Sequence, residues 1–183
     1  MLKTFLRRRV CGFTLIEVMA VTSIMAGAAG QGGYQYAINQ ANQTKGISNL
    51  KQIYQLLLVQ TIGEELPKAA FYPQGDPKTA PDSIVRLIQG APKELFVSPF
   101  APDALKAKGL TFAWNDSING KSMELLPKDT WLLIDMAAFI ADPKIPRPTK
   151  YLILYADGRA DAVINLPEDI QKVVEEAKGK LKE

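Results

Sequence analysis

The sequence predicts an α+β fold: a long N-terminal helix packed on a small antiparallel sheet, with a surface helix at the C-terminus. Three observations carry that prediction. An apolar run at 13–30 leads into a stretch whose apolar residues recur every three or four positions as far as Thr61. Four short β-rich runs follow between 110 and 164, the last two joined by Asp157–Gly158. "PEDIQKVVEEAKGK" closes the chain with a second helical stripe.

The first element is "FTLIEVMAVTSIMAGAAG" (13–30), interrupted only by Glu17 and small hydroxyls. As a helix it would be about 27 Å long, close to the roughly 30 Å of a bilayer core. Lys3, Arg7, Arg8 and Arg9 precede it with no acid among them. By the positive-inside rule those charges hold the N-terminus in the cytoplasm and place the remainder across the inner membrane. Glu17 stands out, because a carboxylate at a bilayer centre costs roughly 2.5–3.5 kcal/mol. Glycines 27, 30, 32 and 33 come next. Each weakens a helix interior by about 1 kcal/mol relative to alanine. A weak point that melts, a hinge, and close helix packing through small residues all fit them.

From about Tyr34 to Ile62 the spacing predicts an amphipathic helix. Ile47, Leu50, Ile53, Tyr54, Leu57, Leu58 and Thr61 lie on its apolar stripe, and Lys51, Gln52, Gln55 and Gln60 lie off it. Gly63 stops it, and Pro67, Pro73, Pro77 and Pro81 make a turn-rich connection. A short helix fits 82–89, with Ile84, Leu87 and Ile88 inward and Gly90 at its end. "SPFAPDALKAKG" predicts a further turn or two, closed by Gly109.

The strands are "LTFAW" (110–114), "WLLID" (131–135), "YLILY" (151–155) and "ADAVI" (160–164). Asp157–Gly158 accepts the positive φ of a tight hairpin turn. A meander laid across the amphipathic helix is the expected arrangement. In the last helix Pro167 and two acids start it, Ile170, Val173, Val174 and Ala177 form the stripe, and lysines finish it.

Composition narrows the function. The chain has 183 residues, 47% hydrophobic and 22% charged, with a net charge of +3. Four of its 22 basic residues lie in the first twelve positions; the remainder carries 18 bases against 19 acids. The basicity belongs to the leader, so no basic face is left for nucleic acid. The single cysteine, Cys11, is also there, and no intramolecular disulfide can form. The chain has no histidine. That removes the usual general base and the commonest metal ligand, and with it any Ser–His–Asp or Cys–His arrangement.

The basic leader and apolar run allow a secretory signal peptide cleaved near Ala28, with Arg7–Arg9 admitting a twin-arginine version. A lipoprotein signal fails, because the apolar stretch follows Cys11 instead of preceding it. A third reading cuts before the apolar run and keeps it as an anchor.

"G-FTLIEV" (12–18) behind a basic leader resembles the cleavage and methylation motif of type IV pilins and type II secretion pseudopilins. The resemblance implies cleavage after Gly12 by prepilin peptidase, N-methylation at Phe13 and a role for Glu17 in assembly. It implies a pilin-like fold divided into a leader (1–12), a transmembrane and filament-core helix (13–33), the amphipathic half of the long helix (34–63) and a head (64–183). Its partners would be the peptidase, the inner-membrane assembly platform and other subunits of a pseudopilus or pilus. The protein would be a structural subunit with no cofactor, anchored once in the inner membrane, its head periplasmic or extracellular. The physics agrees. Cleavage exposes an α-amino group within helical reach of Glu17, or of its counterpart on a neighbour, and pairing offsets much of the carboxylate's desolvation. The alternative is a soluble exported binding domain.

The order "F-SP…TFAWN…P-DTWLLID…YLILYADGRADAV" also resembles pseudopilin-like proteins whose last hairpin carries a "DG" turn, more loosely, since the cysteine and histidine common in those heads are missing. Acidic loops bind calcium in major pseudopilins, which makes Asp157 and Asp161 conceivable oxygen ligands, although residues straddling a DG turn more often form the turn. Asp135 ends a strand that reads as buried. Trp114 and Trp131 read as sheet-face or core residues, and "PKIPRP" (143–148) as a stiff extended loop.

Overall fold

The computed structural model describes residues 31–62, 65–140 and 150–180, with the side chains at 31–32 and 177–180 left out. The chain divides into two compact units, Met1–Gln40 and Ala41–Glu183. The described part of the first is helical, with Tyr34 and Tyr36 exposed and a Gln40–Tyr36 side-chain hydrogen bond of 3.0 Å.

Helix α1 runs Gln31–Gln60, so Gly32 and Gly33 are helical and the helix begins upstream of Tyr34. It ends in a turn at Thr61, whose hydroxyl donates back to the Leu57 carbonyl at 2.9 Å. Short helices α2 (Ile84–Leu87) and α3 (Asp103–Lys106) occupy the predicted places, each a single turn. Gly90 and Gly109 then take φ values of 74° and 77°. Strands β1 (Phe112–Trp114), β2 (Trp131–Asp135), β3 (Tyr151–Tyr155) and β4 (Ala160–Val163) form one antiparallel meander in the order β1-β2-β3-β4. Helix α4 spans Glu168–Lys180. With its N-terminal helix, four-stranded antiparallel sheet and C-terminal helix, this α+β fold is consistent with a pilin-like one.

One sheet face meets the stripe of α1. Leu50, Ile53 and Leu57 are fully buried in one cluster with Phe112, Trp114, Leu152 and Leu154. The approach is close because α1 carries Gly46 there; a Cβ would stand 2.3 Å from a methyl of Leu152. The C-terminal helix lies at the surface as expected, and its apolar stripe is seated on the sheet. Ile170 and Val174 of α4 are buried against the second sheet face, with Ala113, Ile134, Ile153 and Phe139. Both faces of the sheet are therefore covered, and β1 and β2 are buried at every residue instead of alternating with solvent. A register shift between Trp131 and Leu133 puts both Leu132 and Leu133 into the α1-side cluster.

Two asparagines, neither singled out by the sequence pattern, close the polar accounts. The Asn119 amide donates to the Ala69 carbonyl at 2.8 Å and accepts from the Trp114 indole N–H at 2.8 Å, tying the proline-rich connection to β1. The Asn115 amide donates to the Trp131 carbonyl at 2.8 Å.

Candidate functional site

The residues that carry the functional reading, Gly12, Phe13 and Glu17, lie outside the described residues, as does the 143–148 loop. The structure describes what α1 presents downstream of them and the hairpin at the far side of the sheet.

That hairpin is clamped to α1. The Tyr54 hydroxyl donates to the Ala156 carbonyl at 2.9 Å. Burial, and then the charge of Asp157, push the Tyr54 hydroxyl above its ordinary range, so it stays a donor at any physiological pH. Gly158 has φ 82°, and a Cβ there would stand 2.5 Å from the Tyr54 ring. Glycine is needed twice over, for the turn and for the ring beneath it.

Asp157 and Asp161 do flank this turn, and both face Arg159. The Arg159 guanidinium donates to Asp161 at 2.9 Å and lies 3.8 Å from Asp157, whose other oxygen accepts the Arg159 backbone N–H at 2.9 Å. The guanidinium also sits 4.2 Å from the centre of the Tyr155 ring. An arginine thus occupies the place a cation would need between these carboxylates. Among the described residues no group of three or more Asp, Glu, Cys or His side chains could hold a metal ion.

Asp135, at the end of β2, is 1% exposed. One oxygen accepts the Leu152 backbone N–H; the other has no partner among the described residues. Burial pushes its carboxyl up to about 7, against the lowering effect of the Leu152 N–H. Its bond to the Leu152 N–H joins β2 to β3, which gives it a structural place. Trp114 is fully buried and Trp131 nearly so, as expected of sheet-face residues.

Residues 7–26 match the family model of the prokaryotic N-terminal methylation motif. The chain carries a prepilin-type leader. The match to this leader, the type found in type IV pilins and pseudopilins, takes in Arg7–Arg9, Gly12, Phe13 and Glu17 and ends at Ala26. No curated protein and no solved structure matches the chain. Among the described residues no helix is long and apolar enough to cross a membrane; the run at 13–30 lies outside them.

Proposed function

We propose that the protein is a structural subunit of a type II secretion pseudopilus or a type IV pilus, cut by prepilin peptidase after Gly12 and N-methylated at Phe13. The single observation that carries this reading is the methylation motif at 7–26. It points to a processed pilin-type subunit and to structural work rather than catalysis. Segment 13–33 then serves as membrane anchor and later as filament core. The inner-membrane assembly platform and other subunits are the partners, and the head stays on the periplasmic or extracellular side. The described fold supports the reading through α1, whose buried stripe makes it the spine on which the sheet packs.

In the assembled state the amino group at Phe13 pairs with Glu17 of the same or a neighbouring subunit. A subunit sliding along its neighbours finds one register in which every buried carboxylate meets an ammonium. That register sets the axial stagger.

The intact mass and N-terminal sequence of the membrane-fraction protein test the processing. A mature chain beginning at methylated Phe13 is expected. A chain beginning near Ala29 in the soluble fraction would instead make the protein an exported binding domain with an ordinary signal peptide, and would end the filament reading.

A further inference from the structure

A pocket of about 700 Å³ opens between the proline-rich connection, the turn after β1, the start of β2 and α4. Its apolar wall includes Phe71, Tyr72, Trp131 and Val173, and Asp116 and Glu176 also line it. Both carboxylates are exposed, and neither has a hydrogen-bond or ion-pair partner among the described residues. Among the described residues no lysine or arginine lines the pocket. The Asn115 amide beside it is already used on the Trp131 carbonyl and on Ser117. Two further hollows among the described residues differ. The groove beside α1 is lined by Lys51 and no acid, and the hollow below Ile62 mixes Glu124 and Asp157 with Lys128.

We propose that the pocket formed by Phe71, Tyr72, Trp131, Asp116 and Glu176 is a docking site for an arginine or lysine side chain of a partner protein. Long basic side chains have an apolar stem and a charged head, and this pocket offers aromatic surface for the first and, for the second, two carboxylates with no basic partner among the described residues. A saccharide could donate hydroxyl hydrogen bonds to both carboxylates but would leave their charges unneutralised, which a guanidinium or ammonium would not. The volume lies in the range of about 300–1,000 Å³ usual for ligand sites and exceeds one side chain, so flanking backbone of the partner enters too. The site is independent of the leader and does not require that the chain form filaments.

The test is a titration of the full chain in detergent micelles, with isotope-labelled tryptophan, against N-acetyl-arginine methylamide. The citrulline counterpart, equal in shape and uncharged, serves as control. The expected result is a saturable shift of the Trp131 indole resonance with the arginine compound only. The Trp114 resonance, held by Asn119 at 2.8 Å, stays in place and reports an intact fold. The double variant Asp116→Asn/Glu176→Gln should bind about tenfold more weakly, the scale of two exposed charge contacts. An equal response to citrulline, no response at Trp131, or unchanged affinity in the double variant would overturn the proposal. So would a response to N-acetylglucosamine without one to the arginine compound, which would make the pocket a saccharide site.

Discussion

Asp135 shows how one residue sets a solution property of the whole chain. Its carboxyl titrates near neutrality in the folded protein, against an ordinary value of 3.8. Below about pH 4 folded and unfolded chains both hold the proton, and the group is neutral toward folding. As pH rises toward 7 the unfolded chain gives up the proton and the folded chain keeps it, so stability falls over that window and levels off above it. At about 1.4 kcal/mol for each pH unit crossed, the loss between pH 5 and pH 8 is about 3 kcal/mol as an upper figure. Urea unfolding at the two pH values should show the wild-type chain more stable at the lower one. Asp135→Asn, which keeps an acceptor for the Leu152 N–H, should flatten most of that difference. An unchanged pH dependence in the variant would mean that the carboxyl is already ionised in the fold. The sequence places Asp135 at the end of a buried strand; its missing second partner becomes visible only once β2, β3 and the Ser98 loop are placed together.

At the scale of elements, α1 and the sheet meet through a glycine that helix propensity alone would disfavour. Replacing Gly46 by a better helix former should gain up to about 1 kcal/mol on an isolated helix. In this protein the added side chain enters the space of the fully buried Leu152. Gly46→Leu should therefore destabilise the fold by about 1–3 kcal/mol, as overpacked cores do. A denaturant melt at constant pH measures it, and a more stable variant would show that the helix–sheet spacing is not set by this contact. The stripe from Leu50 to Leu57, the strands β2 and β3 and the Asp157–Gly158 turn are all legible in the sequence, because periodicity and turn chemistry are local. The burial of both sheet faces is not. The apolar run "WLLID" is compatible with one covered face or two, and only the seating of Ile170 and Val174 distinguishes them. Asn119 is hidden for the same reason. Its partners, Ala69 and Trp114, are gathered from separate stretches of chain.

For the whole molecule, the proposed role turns on Glu17. With the carboxylate removed, membrane insertion and cleavage after Gly12 should proceed at wild-type levels, since neither needs that charge. Incorporation into filaments should drop by about tenfold or more, in line with the cost of leaving an amino group buried and unpaired. Counting Glu17→Ala subunits in sheared filaments against the membrane fraction measures it, and normal incorporation would refute the charge-pair argument.

Neighbours in the chain are enough to specify the leader, the order of helices and strands, and the residues that form each stripe. Each follows from a local signal: a motif, a period of 3.6 or 2, a glycine where φ turns positive. Other facts exist only in the assembled fold. Helix α4 closes the second face of the sheet, Arg159 stands between Asp157 and Asp161, and Asp116 and Glu176 line one pocket with Trp131. These depend on side chains from different elements meeting in space, and burial and charge pairing acquire their values only at the meeting.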